Sequence, residues 1–189
     1  MAIISVAAVP VMRGLGGSQS ARATGQILVS ALEQTRTAAI LSGTNAYLAL
    51  PDSNTTTMTA TNMGRSYAII RPKVDLDGNG LDDFQTNISA AWILLSKWER
   101  LPGDQMFDSR RLALLPTTNP TGLFFPKNAS SSPLPILGFS PSGALADPAG
   151  TNGLLFYSQA RSNVADGIKA SLYSGRVRYV GIVTNTNSF

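Results

Sequence analysis

The chain has 189 residues, 43% of them apolar and only 14% charged, which is enough apolar material for one packed domain and speaks against wholesale disorder. The net charge of +4 is scattered, with no basic stripe and no interleaved stacking aromatics, so the composition argues against a nucleic-acid binder. His and Cys are both absent, which removes Ser–His and Cys–His catalysis and His- or Cys-ligated zinc.

The N-terminal run MAIISVAAVPVMRGLGG carries no charge before Arg13, and Ser5 is its only polar side chain up to Met12. A bilayer-spanning helix needs about 20 apolar residues, so the run reads as the back half of a membrane helix whose front half lies outside this sequence. No basic residue precedes it and no small-residue cleavage site follows, so it does not read as a signal peptide. Ile3, Ile4, Val6, Val9, Val11 and Leu15 are the candidate assembly residues of this segment, and Arg13 marks its boundary.

From Ser18 to Ser42 the pattern becomes amphipathic. Leu28, Leu32, Thr35 and Ala39 recur at three- and four-residue steps and share one helical face, the candidate seam against the rest of the protein. Ser30, Glu33, Arg36 and Thr37 fall mostly on the other side, with Glu33 and Arg36 spaced to pair. Gly43 follows the last periodic residue and is the expected stop. The whole of Met1–Ser42 is expected to form one nearly continuous helix, loosened at Pro10 and at Gly14, Gly16 and Gly17.

After Gly43 the periodicity turns to alternation. Asn45–Leu50, Ser66–Arg71, Ala91–Leu101, Ile136–Ser140 and Leu154–Tyr157 read as strands. The last two strands form an expected hairpin, Ile168–Tyr173 and Arg176–Val183, about a Ser174-Gly175 turn. Pro116 to Pro135 is punctuated by prolines and reads as loop around Leu123–Phe125.

Val74 to Phe84, VDLDGNGLDDF, is the one stretch able to carry chemistry. Asp75, Asp77, Asn79 and Asp83 alternate in a loop turned by Gly78 and Gly80, a spacing that can converge oxygens on calcium. Thr86 stands where a bidentate Glu belongs, and no helical pattern flanks the loop. A plain polar turn uses the same residue types, so calcium site and turn both stay open. Glu99, Asp104 and Asp108 read as solvated carboxylates rather than a hydrolytic pair, and Trp92 and Trp98 as core residues rather than a sugar platform. Asn54, Asn87 and Asn128 begin sequon triplets of the kind that arise by chance in so Asn- and Ser-rich a chain.

Several strings together resemble the type IV pilin-like proteins, and within them the H-type minor pseudopilins of type II secretion. They are MAIISVAAVP, ARATGQILVSALEQTRTAAILSG, LPGDQMF, GFSPSGAL and SGRVRYVG. The resemblance implies an α+β protein: a long N-terminal helix, apolar then amphipathic, packed on a C-terminal antiparallel β-sandwich-like head. It divides the chain into 1–17 as assembly segment, 18–43 as amphipathic helix and 44–189 as head. The family's basic leader, cleavage site and early Glu have no counterpart in this sequence. The implied role is non-enzymatic: a structural subunit of a pilus-like filament or pseudopilus, in the bacterial inner membrane and periplasm or an extracellular filament. Its partners would be other pilin-like subunits and the inner membrane, not nucleic acid, and calcium is the sole cofactor in view. Two alternatives come from other classes: a secreted or surface β-sandwich binding module that uses calcium, and a phage or viral structural protein.

Overall fold

The computed structural model describes residues 4–53, 55, 61–83, 91–118, 133–147 and 152–183, with side chains described from residue 19 onward. Ile3, Thr86, Leu123–Phe125, the three sequon asparagines and the tail from Thr184 lie outside the described residues. So do the side chains of Ile4, Val6, Val9, Val11 and Leu15, although their backbone is helical.

Helix α1 runs Ile4–Ser42, 39 residues, about 60 Å at the standard rise. It stops at Gly43, whose φ of 62° places it in the left-handed region that glycine enters without steric cost. On its inward face Thr35 Oγ1 donates to the Ala31 carbonyl at 2.8 Å, so this buried hydroxyl is bonded.

The strands form two antiparallel sheets. The first contains β1 (Ala46–Ala49), β2 (Ser66–Pro72), β3 (Trp92–Leu94), β4 (Glu99–Arg100), β6 (Thr117–Thr118) and β7 (Leu134–Phe139). Their order is β3-β2-β1-β7-β6, with β4 also on β2. The second contains β5 (Gln105–Phe107), β8 (Gly153–Ser158), β9 (Ala165–Ala170) and β10 (Val177–Val183), in the order β10-β9-β8-β5. Helix α1 packs on both sheets, and the α+β class holds.

The alternation of side chains along β1, β2 and β7 feeds two clusters. Leu48, Tyr67, Ile69, Leu137 and Phe139 join Leu28 and Leu32 of the helix, and Leu154, Phe156 and Ile168 of the second sheet, in the main core. Ala49, Ile70, Leu134 and Ile136 face the other way, under Tyr47, Trp92, Leu94 and Trp98. Trp92 meets the Tyr47 ring edge-on with centroids 5.7 Å apart, so the tryptophans cover the outer face of a sheet.

Three expectations need correction. Ala91–Leu101 is not one strand. Between the pairs Ile70↔Leu94 and Tyr67↔Glu99, β2 supplies two residues and the opposing chain four, so Leu95–Trp98 bulge out. The bulge is held on Ile69: its N–H donates to Ser96 Oγ at 2.9 Å and its carbonyl accepts from Leu95 N at 2.8 Å. The first strand of the late hairpin also lies earlier than expected, at Ala165–Ala170, because Leu172 turns inward against the core, whereas the second falls at Val177–Val183 as expected. Finally, β5, β6 and the short helix α2 (Ser109–Leu112) occupy stretches not read as ordered elements.

Candidate functional site

Helix α1 is the element around which the head is built. Leu28, Leu32, Thr35 and Ala39 are each fully buried, and Ala31 beside them nearly so. Burial of side chains of this size stabilises by about 1.5–3 kcal/mol each for the leucines, which makes residues 21–39 part of the head's own core. Ala21, near the start of the described side chains, already packs against the head's apolar cluster. The same helix leaves Ile27, Ile40 and Leu41 exposed, the last at 78%. That outward apolar set was not singled out from the sequence, although Ile40 and Leu41 sit in the visible AAIL run.

Polar contacts fasten the seam to the β9–β10 region. Arg36 Nε donates to the Gly143 carbonyl at 3.0 Å, and Glu33 Oε1 accepts the Val177 N–H at 3.1 Å. The Glu33–Arg36 pair, 3.5 Å apart, joins the two contacts. Glu33 is therefore not merely solvated: it satisfies a backbone donor on an edge strand. Higher on the helix, the Tyr179 ring lies across Gly25, where a Cβ would stand only 2.5 Å from a ring carbon, so no larger residue fits without displacing the ring. The Tyr179 hydroxyl donates to Asp166, and burial followed by this carboxylate pushes its ionisation well above the usual tyrosine range.

The acidic loop leaves β2 at Pro72. At its base Arg71 and Asp82, both buried, form a bidentate ion pair at 2.6 and 2.5 Å. Asp82 also accepts the Val74 N–H at 2.9 Å. Sequence reading passed over this pair, though an arginine at an otherwise apolar strand position was the signal. Of the four expected calcium ligands, Asp75 accepts from Lys73 Nζ at 3.3 Å and from Gly80 N at 3.0 Å. Asp77 accepts from Asn79 N at 3.1 Å and Nδ2 at 2.7 Å, Asn79 Oδ1 from Leu81 N at 2.7 Å, and Asp83 from Leu76 N at 2.6 Å. Partial burial pushes the Asp75 carboxyl up, but Lys73 and the Gly80 N–H together outweigh it and hold the group below its ordinary range. Among the described residues no three His, Cys, Asp or Glu side chains are grouped as a metal site would need.

The other carboxylates have structural partners. Glu99 accepts from the Tyr67 hydroxyl at 2.7 Å. Asp108 caps α2 through the N–H groups of Arg110 and Arg111. Asp104 accepts from the Ser158 hydroxyl and, at 3.2 Å, from Ala160 N. Nor is any helix, among the described residues, long and apolar enough to cross a membrane.

No protein-family model matches the chain, and comparison with curated proteins gives no match. Among solved structures, the chain is similar to the minor pseudopilin EpsH from the type II secretion system of Vibrio cholerae. One structure of that protein is 13% identical over 89% of this chain and 98% of its own, with a TM-score of 0.50. A second is 15% identical over 86% and 97%, with a TM-score of 0.47. Identity this low speaks to fold alone, and the first comparison carries it: a long helix seated in an antiparallel β head gives this chain a pseudopilin-like fold.

Proposed function

We propose that this protein is a structural subunit of a pseudopilus or type IV pilus-like filament in the bacterial cell envelope, assembled through its N-terminal helix. One observation carries the reading: a single 39-residue helix whose second half is core of the head and whose backbone continues without a break into the apolar run that ends at Met12. An apolar helix half such as Ile4 to Met12 in contact with water is an aggregation hazard, so a membrane or equivalent helices of other subunits must cover it. The exposed Ile27, Ile40 and Leu41 extend the apolar outside of the helix alongside the head. In this reading the partners are other pilin-like subunits and the inner membrane, and no catalytic step is assigned.

The full chain with Val9→Asp tests this. A carboxylate within the apolar run costs several kcal/mol to bury in lipid or among packed helices. The variant should leave the membrane and sedimentable assemblies while its head keeps the wild-type melting temperature. Unchanged sedimentation would remove the helix from the assembly contact.

A further inference from the structure

We propose that the cleft between α1 and the second sheet, at the end of the head from which the apolar run departs, binds the phosphate of an anionic phospholipid headgroup. The proposal deepens the assembly reading and rests on it in one respect: the membrane is what brings headgroups to this end of the head.

Contacts along α1 fix where the cleft lies, because β10 runs back along the helix. At the start of the strand a Cβ on Gly175 would stand 3.1 Å from Arg36 Nε, and the Val177 N–H donates to Glu33. Further on, the Tyr179 ring lies across Gly25. The strand's last residues therefore reach the level at which α1 enters the head. There Ala21, Arg22, Arg161, Val164 and Ile182 wall a cleft of ≈ 240 Å³. The Pro102-Gly103 turn arrives at the same level, since a Cβ on Gly103 would stand 3.7 Å from Ser20 Oγ. Gly181 also lines the cleft, and a Cβ there would meet nothing within 4 Å, so this side stands open.

Arg22 and Arg161 are both exposed, and neither makes an ion pair among the described residues. The charge of Arg22 acts on the Tyr179 hydroxyl. The carboxylates nearby are already hydrogen-bonded. Asp166, also in the lining, accepts from the Tyr179 hydroxyl. Asp104, behind Ser158, accepts from the Ser158 hydroxyl and the Ala160 N–H and stands in the field of Arg65. With Arg65 included, three cations face two carboxylates, which leaves the cleft a positive excess. A guanidinium fork matches phosphate oxygens bidentately. Ala21, Val164 and Ile182 supply an apolar wall for the glycerol and first methylenes beside the phosphate.

The helix sets the height of the site. Arg13 ends the charge-free run, and nine residues of uninterrupted helix carry the chain about 13.5 Å from it to Arg22. The polar layer of a bilayer adds about 5–7 Å on each side of the hydrocarbon. The Cα–Cβ bonds of a helix tilt toward its N-terminus, so Arg22 reaches back toward that layer.

Flotation of the full chain with increasing amounts of vesicles tests the site, using phosphatidylcholine alone or mixed with phosphatidylglycerol. The wild-type chain should prefer the anionic vesicles. Removing Arg22 and Arg161 together, as Arg22→Gln with Arg161→Gln, should weaken that binding about twenty-five-fold, about fivefold for each arginine, and leave binding to phosphatidylcholine unchanged. Arg176→Gln with Arg178→Gln removes the same charge at the level of Arg36, about 21 Å along the helix from Arg22 and beyond the Debye length, and should change binding less than twofold. All four side chains are exposed, so both double variants should keep the wild-type melting temperature. Equal losses from the two double variants would reduce the effect to general charge attraction and overturn the site. Millimolar inorganic phosphate should not displace the chain at matched ionic strength; displacement would make the ligand free phosphate and overturn the lipid assignment. A chain that floats with phosphatidylcholine but shows no arginine-dependent preference overturns the site and leaves the assembly reading standing. A chain that floats only with anionic vesicles, through Arg22 and Arg161, keeps the site and removes the membrane's cover of the apolar run. A chain that floats with neither overturns both.

Discussion

Leu32 and its neighbour Glu33 show how much one helical position matters. Leu32 is fully buried, whereas Glu33 is part-exposed and accepts one N–H from β10. Leu32→Asp removes apolar burial worth about 2–5 kcal/mol on the scale of core truncations and adds a carboxylate to the core. Glu33→Ala loses about 1 kcal/mol with its hydrogen bond. Thermal melts should show a fall of about 2–4 °C for Glu33→Ala and a several-fold larger fall, or no folded protein, for Leu32→Asp. The acidic loop gives a second residue-level prediction. Its carboxylates already accept from Lys73, Asn79 and backbone N–H groups, and a cation at Asp75 would stand beside the Lys73 ammonium. The geometry predicts no rise in melting temperature at several millimolar calcium. A rise that Asp77→Ala abolishes would assign these side chains as ligands instead.

Among the elements, the turn that follows β8 depends on Asp104. The Ser158 hydroxyl lowers the Asp104 ionisation most, burial opposes it, and the Ala160 N–H adds to the lowering. A carboxyl depressed in the folded state contributes stability above its unfolded value, near 3.8, and loses it as pH falls through the folded value. Asp104→Asn should therefore melt lower than wild type at pH 6 and converge with it on acidification below pH 3.8. A constant gap across that range would show that the carboxylate charge does not matter. Element by element, α1, β1 and β2 were legible because their periodicity is unbroken. β9 was displaced because Asp166-Gly167 looks like a turn. In the fold Asp166 is buried beneath the Tyr179 hydroxyl and Gly167 pairs with Gly181 at a bulge, relations that link distant residues. The split of Ala91–Leu101 escaped for the same reason, since Ser96 serves a backbone donor on β2. At the site, the apolar stripe could be read from spacing alone, whereas the Arg71–Asp82 pair at the root of the acidic loop needed the fold to bring its partners together.

For the whole molecule, residues 21–39 of α1 are core of the head, and in the proposed function the apolar run before them meets membrane or other subunits. Leu28, Leu32 and Ala39 share one cluster with residues of both sheets, which makes this part of the helix core of the head. Deleting residues 1–17 should remove only the apolar run. Light scattering coupled to size exclusion and a thermal melt of residues 18–189 test this most directly. The predicted result is a monomer that unfolds in one cooperative transition. Aggregation, or a protein with no cooperative transition, would mean that the first seventeen residues belong to the head's own core, and would contradict the division.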